Sequence, residues 1–272
     1  MLPRALNHMA VPGLRWDAFL TLAHDLGCVG VEFRDDLPGP LFDGDDPAAV
    51  KAKAGALGLR VLTLAELKAF NDWSEAKRGE AEALMRAAVA CGAEAISLIP
   101  RNDGLGRGNG ERQANLRIAL RELKSMLEAK GLTGLVEPLG FETSSLRHKS
   151  EAVDAIEDLG AAGTFRLAHN TFHHMLAGGG PVFAGHTGIV QVSGVTDPSP
   201  AVREMRDEHR VLVDRHDRLG NIEQIEALIA GGYRGPVSVE PFAPQVHAIA
   251  DPQAALAGSF QFIASRLAEM AA

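Results

Sequence analysis

The fold is decided by the phrase "LGLRVLTL" at residues 57–64, because its form recurs along the chain. A Gly follows a helix-like stretch, a short turn comes next, and an apolar run completes the phrase. A Gly just past a helix is typical of a left-handed cap, and a short apolar run after it is typical of a buried strand. Similar phrases occupy residues 26–33, 91–99, 130–138, 162–169 and 231–241. The first four intervals between these phrases are roughly 30 to 40 residues, which fits one strand and one helix per repeat.

Strands and amphipathic helices can be assigned around these phrases. The eight predicted strands are residues 4–9, 29–33, 60–65, 95–100, 134–139, 165–168, 189–195 and 236–242. The predicted helices are residues 16–26, 47–57, 74–90, 111–130, 149–159, 222–230 and 252–270. After the sixth strand the chain is too short and Gly-rich for a full helix, and the long charged stretch after the seventh is expected to fold over an opening.

Eight strands alternating with helices predict an α/β fold, a single closed (β/α)8 TIM barrel spanning residues 1–272 as one domain. The alternative is an open doubly wound sheet. That fold would place a Gly-rich phosphate loop after the first strand, and "HMAVPGLRW" at residues 8–16 is not one. The closed barrel is therefore favoured.

Composition excludes several classes of protein. A formal charge of −8 argues against nucleic acid or an anionic membrane as the partner. The N-terminus lacks a long apolar segment, and no run of 18 apolar residues is present. Two cysteines, Cys28 and Cys91, form no disulfide framework and are expected to be packing residues. The chain is expected to be cytoplasmic.

In a (β/α)8 barrel the reactive side chains lie at the carboxyl ends of the strands. The sequence places ten polar residues there: His8, Arg34, Glu66, Arg101, Glu137, Asn170, His173, Gln191, Ser193 and Glu240. Of these, His8, Glu66 and Arg101 are predicted to contact substrate. Arg210, in the long loop, is a further candidate for holding a substrate carboxylate, phosphate or hydroxyl, although a surface role for it is equally consistent with the sequence.

A repeated phrase, "LVEP" at residues 135–138 and "SVEP" at residues 238–241, sets a Glu at the end of two strands. One such Glu fits an ordinary salt bridge, but two in matching phrases favour function, since buried carboxylates need a partner such as a cation. Carboxylates across a barrel mouth can clamp a divalent ion and act as general bases. Glu137 and Glu240 are therefore predicted to be catalytic, with His173 completing a metal shell or relaying a proton.

These features resemble the xylose isomerase-like barrels, a family often described as sugar phosphate isomerases and epimerases. The resemblance rests on "VEP" in the fifth strand, "TFHH" after the sixth, "VQVSGV" in the seventh and "GYRGPVSVEPF" into the eighth. It implies one divalent ion held by Glu, Asp, His and Glu on strands five to eight. It also implies that the two glutamates transfer protons during isomerisation or epimerisation.

The chain departs from that pattern at two of the four metal-ligand positions. Glu137 and Glu240 match, whereas Asn170 stands where the family has Asp and Gln191 stands where it has His. Both amides retain an oxygen suited to a hard cation. The resemblance therefore implies a metal site made of Glu137, Asn170, Gln191 and Glu240. We expect it to favour Mn²⁺ or Mg²⁺ over Zn²⁺ with weak binding, or to hold no metal at all.

The leading hypothesis is a sugar or polyol-derived ketose isomerase or epimerase. A dehydratase acting on a cyclic polyol ketone of the inosose type would use the same residues. A non-catalytic sugar-binding barrel with a degraded metal site is kept open by Asn170 and Gln191. A nuclease is disfavoured, because its site would need more His and Asp ligands and a basic groove. The expected partner is a small sugar or polyol derivative, and a homo-oligomer is left open.

Overall fold

A computed structural model describes residues 3–270, and the strands in this range close into a parallel barrel in the order of the sequence. Each strand pairs with the next, and the first pairs with the last, Leu6 lying beside Val239. The strands are β1 Arg4–Asn7, β2 Gly30–Arg34, β3 Arg60–Lys68, β4 Ala95–Ile99, β5 Thr133–Val136, β6 Phe165–Asn170, β7 Thr187–Val192 and β8 Val237–Val239. The predicted closed (β/α)8 barrel is confirmed.

Helices surround the barrel. Within the described range they are α1 Trp16–Asp25, α2 Pro47–Ala56, α3 Glu75–Cys91, α4 Asn109–Glu128, α5 Lys149–Asp158, α6 Thr171–Leu176, α7 Asn221–Ala230, α8 Pro244–His247 and α9 Pro252–Met270. No helix among residues 3–270 is both long and apolar enough to span a membrane. Cys28 and Cys91 are buried, and burial raises the pKa of the Cys91 thiol to about 11, so both pack as apolar residues.

The core has two layers, because successive strand residues point to opposite faces. The outward-facing side chains, among them Leu6, Val31 and Val190, pack against the helices. The inward-facing ones fill the barrel with a small apolar layer: Ala5, Leu62, Ala95, Leu135, Ala168 and Ile189. Two residues further along several of these strands, the inward-facing positions carry polar side chains.

Several strand ends differ from the predicted limits. Strands β5 and β8 stop at Val136 and Val239, so Glu137 and Glu240 are the first residues beyond their strands. Strand β6 instead extends two residues past its predicted end, to Asn170. A Pro after each Glu withholds the N–H that would continue the ladder, which explains the early ends.

The segment after β6 forms a helix of only six residues, α6, in keeping with its predicted shortness. Asn170 caps it, since its Oδ1 accepts hydrogen bonds from the N–H groups of Phe172 at 3.2 Å and His173 at 3.4 Å. The loop after β7 is fixed to the end of β8, where Phe242 and Ala243 both donate backbone hydrogen bonds to the carbonyl of Arg210. This places Arg210 at the barrel mouth.

Candidate active site

Four side chains from neighbouring strands enter the same end of the barrel. Glu137, Asn170, Gln191 and Glu240 lie two residues beyond the inward-facing Leu135, Ala168, Ile189 and Ser238, and so share their face. All four are buried. The Asn170 amide donates to Glu240 at 3.0 Å, and Gln191 joins the same polar network through Glu32. The structure thus brings the four sequence-selected residues to one mouth.

The carboxylate of Glu240 accepts four hydrogen bonds. Its Oε1 accepts from Asn7 Nδ2 and Arg34 Nη1, both at 3.0 Å. Its Oε2 accepts from Asn170 Nδ2 at 3.0 Å and from Arg210 Nη2 at 2.7 Å. Two oxygens offer about four lone-pair sites, so the acceptor capacity of this group is filled by the protein itself.

Arg34 lies at the end of β2 and is held as tightly as the carboxylate it contacts. Asp36 forms a bidentate ion pair with its guanidinium and accepts hydrogen bonds from Nε and Nη2, both with N–O distances of 2.7 Å. Glu66 lies 3.5 Å from Nη2. Burial lowers the pKa of Arg34, but the hydrogen bonds to Asp36 and the charge of Glu240 outweigh it and hold the pKa above its usual value. The guanidinium is therefore a fixed positive charge.

Arg210 is also buried, although the sequence left a surface role for it open. Besides Glu240, its guanidinium contacts Ser193 Oγ at 3.0 Å and Asp207 Oδ1 at 3.0 Å. It lies over the ring of Phe242, with 4.1 Å from its carbon to the ring centroid. The long loop therefore contributes a positive charge to the site.

Two members of the network were not selected from the sequence. Glu32, inside β2, is fully buried; its Oε1 accepts from Asn7 at 3.3 Å and its Oε2 accepts from Gln191 at 2.9 Å. Burial, followed by the charge of Glu240, raises the pKa of Glu32 to about 7. An acid within the otherwise apolar "VGVEF" of residues 29–33 was the signal that could have found Glu32. Asn7 gave no comparable signal.

Glu137 is the carboxyl group with the greatest freedom in the mouth. None of the described residues donates a hydrogen bond to it, and His173 lies beside it, with Nε2 3.8 Å from Oε1. Burial raises the pKa of Glu137 well above its usual range, and the charge of Glu240 raises it further. A buried carboxyl group with a raised pKa and no fixed partner is suited to moving a proton.

His173, one turn into α6, is held neutral beside that carboxyl. Burial, assisted by the charge of Arg210, lowers the pKa of His173 to about 3. Its Nδ1 accepts from the N–H of Gly140 at 3.3 Å, which assigns the proton to Nε2, on the side of Glu137. Sequence reasoning chose His173 as a proton relay, and the structure places it next to Glu137.

The other residues of the histidine-rich segment lie outside this network. His169 faces the helices, as its position next to the inward-facing Asn170 predicts, and pairs with Gln224 of α7 at 2.9 Å. His174 Nδ1 lies 2.8 Å from Nζ of the buried Lys149, and burial lowers the pKa of that lysine to about 7. Of the segment, only Asn170 and His173 therefore contact the mouth.

The three candidate substrate contacts have different surroundings. Glu66 is beside Arg34 in the mouth, as noted above. His8 instead stacks on Phe19 with 4.2 Å between ring centroids and pairs with the carbonyl of Leu14 at 2.9 Å. Arg101 lies at the rim, paired with Asp72 and Asp103. Only Glu66 belongs to the central network.

The donor chemistry does not fit a divalent ion well. Asn170 turns its N–H₂ group towards Glu240 and uses its oxygen to cap α6. Gln191 likewise turns its N–H₂ group to Glu32, and its buried Oε1 has no partner. No group of three His, Cys, Asp or Glu placed to hold a metal occurs in residues 3–270. Of the four predicted ligands, Gln191 and Glu137 keep an acceptor oxygen without a partner, fewer than the four to six ligands that a divalent ion takes.

Comparisons with known proteins agree with this architecture. Residues 20–266 match the family model described as the xylose isomerase-like TIM barrel. No curated protein matches the chain. Among solved structures, a xylose isomerase domain-containing protein from Salmonella typhimurium LT2 is 31% identical with a TM-score of 0.90, covering 98% of this chain and 97% of that one.

More distant structures share the fold. The IolI protein, solved with a bound zinc atom, has a TM-score of 0.88 at 16% identity, covering 98% of this chain and 99% of its own. D-Psicose 3-epimerase from Clostridium cellulolyticum H10, solved with D-tagatose, has a TM-score of 0.73 at 15% identity, with coverages of 98% and 99%. At these identities the likeness concerns the fold.

Proposed function

The chain belongs to the xylose isomerase-like TIM barrel family, and we propose that it is an isomerase or epimerase of small sugar- or polyol-derived ketones. One observation carries the proposal. Glu137 is a buried carboxyl group with a raised pKa, no hydrogen-bond donor among the described residues, and a neutral His173 beside it. Family structures that include an L-ribulose 3-epimerase and a D-psicose 3-epimerase support the reaction class.

In this proposal Glu137 moves the proton. Its carboxylate form takes a proton from the carbon beside the substrate carbonyl and leaves an enediolate. In isomerisation the resulting acid returns this proton to the neighbouring carbon, while the hydroxyl proton moves to the former carbonyl oxygen. In epimerisation a proton from solvent adds to the opposite face, and the acid returns its own proton to solvent. A carboxyl group whose pKa is raised by burial is a stronger base than an exposed one, which suits a group that must both accept and release a proton. His173, protonated at Nε2, faces Glu137 across 3.8 Å, and we propose that this gap shortens when substrate binds, so that His173 then orients the carboxyl group.

Glu240 was also predicted to transfer protons, but its four hydrogen bonds favour a different role, and we propose that it positions the two arginines. A guanidinium has five N–H groups, and one on Nη1 of Arg34 and one on Nη1 of Arg210 lack a partner in the described part of the chain. These two N–H groups would contact the substrate carbonyl and stabilise the negative charge that develops on its oxygen. Glu240 fixes both arginines, and Glu66 accepts hydrogen bonds from substrate hydroxyls.

The substrate in this proposal carries no charge. Each arginine is already paired with acids: Arg34 with Asp36 and Glu240, and Arg210 with Asp207 and Glu240. Arg101 is likewise paired at the rim. Because acids already neutralise Arg34, Arg210 and Arg101, these three arginines favour a free sugar or polyol ketone over a sugar phosphate.

Four oxygen ligands would favour Mn²⁺ or Mg²⁺ over Zn²⁺, but the amide orientations leave a divalent ion few such ligands, so we propose that this chain's own side chains transfer the proton. We further propose one domain over residues 1–272, a cytoplasmic location, and a small-molecule partner rather than nucleic acid or a membrane.

A second candidate is a sugar-binding barrel without catalysis. It is favoured by one observation, the complete occupation of the Glu240 carboxylate by protein donors. An inosose-type dehydratase remains a variant of the first proposal, since it begins with the same proton abstraction and ends with loss of water.

A panel of neutral ketoses and inososes in deuterated water tests the proposal. We expect at least one compound to exchange the hydrogen beside its carbonyl, observed by proton NMR, with an epimer, aldose or dehydrated product identifying the reaction. The phosphorylated counterparts should exchange more slowly. Compounds that bind but never exchange would contradict the enzyme and favour the binding barrel.

A further inference from the structure

The positions of Arg34 and Arg210 indicate what neutralises the acids in this mouth. Glu240 directly follows β8, and its Oε1 and Oε2 each contact one guanidinium, at 3.0 and 2.7 Å. The two arginines come from opposite ends of the chain, one from β2 and one from the loop after β7. They meet only because the barrel closes between β8 and β1.

The arrangement is a built one. Both guanidiniums lie near the ring of Phe242, with centroid distances of 5.3 Å for Arg34 and 4.1 Å for Arg210. Each guanidinium also donates to a second acid, Arg34 to Asp36 and Arg210 to Asp207. The arginines are 8% and 2% exposed, so neither can leave for solvent without losing these contacts.

The Asn170 and Gln191 amides, like the arginines, donate hydrogen bonds to the acids of the mouth, and this orientation does not suit a metal ligand. A metal ligand at Asn170 would have to present oxygen, which would remove the cap on α6. A metal on Glu240 would have to displace one of its four donors. It would also have to approach two fixed positive charges.

We propose that Arg34, together with Arg210, is the resident cation of this centre and takes the place of a divalent metal. The proposal deepens the proposed function by assigning the group that stabilises the developing oxyanion. The role of the arginines in stabilising an oxyanion rests on the proposed function. Their replacement of a metal rests only on the hydrogen bonds of Glu240.

Metal affinity of Arg34→Met tests this inference without any substrate. Methionine approximates the arginine stem while removing the charge and freeing a lone pair on Glu240 Oε1. We expect calorimetry with Mn²⁺, Mg²⁺ and Zn²⁺ to detect no site tighter than about 1 mM in the native protein, and at least about a tenfold gain for one ion in the variant. Arg34→Lys, which keeps the charge, should stay as weak as the native protein.

Arg60→Met is the matched control, because Arg60 begins β3 at the other end of the barrel and pairs with the exposed Glu94. It should not gain metal affinity. A native protein that binds one equivalent of metal tightly, or an Arg34→Met variant that gains nothing, would overturn the inference. If Arg34→Met fails to fold, Arg34→Gln serves the same test. If the native protein exchanges no substrate proton, the proposed function fails, but these metal measurements still test the inference about Arg34.

Discussion

At the scale of single residues, the mouth depends on which atom each amide presents. The resemblance to the family implied that Asn170 and Gln191 occupy the positions of two metal ligands. Their placement at one mouth agrees with that expectation, but each turns its N–H₂ group towards a Glu. Side-chain orientation is set by partners distant in sequence, here Glu240 and the backbone of α6, and so could not be predicted from residue type.

The substitution Asn170→Asp should make folding stability depend on metal. The new carboxylate can still cap α6, but its second oxygen would lie about 3 Å from Glu240 Oε2, so the two acids repel each other unless a cation lies between them. We expect a melting temperature lower by roughly 3 to 8 °C and a recovery on adding Mn²⁺. Adding Gln191→His should strengthen metal binding further.

The control for this variant is Asn71→Asp, which alters a buried Asn paired with Ser145 away from Glu240. Its melting temperature should not respond to Mn²⁺. An Asn170→Asp protein with a metal-independent melting temperature would contradict the contact with Glu240.

The buried Glu32 should make folding stability depend on pH. The pKa of Glu32 is raised to about 7 in the folded state, so the folded protein holds a proton that the unfolded chain releases near pH 4.5. Stability therefore falls as pH rises between these two values, by about 3 kcal/mol from this group. Glu32→Gln keeps the shape and removes the titration, so its unfolding free energy should lose less between pH 5 and pH 8.

Urea unfolding of native and Glu32→Gln proteins at several pH values measures this difference. Glu94→Gln, which alters an exposed acid at the other end of the barrel, is the control and should follow the native curve. Parallel curves for native and Glu32→Gln would show that Glu32 is ionised in the folded protein.

At the scale of elements, β6 and α7 are joined by a buried polar contact, His169 Nε2 with Gln224 Oε1 at 2.9 Å. The alternation of side chains along the strand predicted that His169 faces the helices. It could not name Gln224, because the docking of α7 depends on the whole loop between residues 193 and 220. That loop also buries Arg210, which the sequence could not distinguish from a surface residue.

His169→Ala should destabilise the protein without affecting the mouth. It leaves the Gln224 amide oxygen buried without a donor and creates a small cavity, for a loss of about 2 to 4 kcal/mol in unfolding free energy. Proton exchange per folded molecule should change little. His186→Ala, a partly exposed change near Glu157, should cost much less. A large drop in exchange rate at equal folding would place His169 in the site.

At the scale of the whole molecule, the recurring Gly phrases predicted the barrel, because local capping and strand patterns repeat in step with the fold. The contacts that make the site are long-range: Asn7 and Arg34 both reach Glu240 across the closure between β1 and β8. The strand pattern predicts that the barrel closes, but it does not predict which side chains contact each other across the closure. For the same reason Glu137 and Glu240 were found from their phrases, while Glu32 and Asn7 were missed.

The most direct test of the proposed function is hydrogen exchange by Glu137→Gln. The amide has the same shape as the acid but cannot take a proton from carbon. With a ketone that the native protein exchanges, we predict a fall of at least about a hundredfold in deuterium incorporation. Binding should stay within about threefold, and Arg60→Met should be unaffected. Exchange at the native rate in a folded Glu137→Gln protein would contradict the central claim.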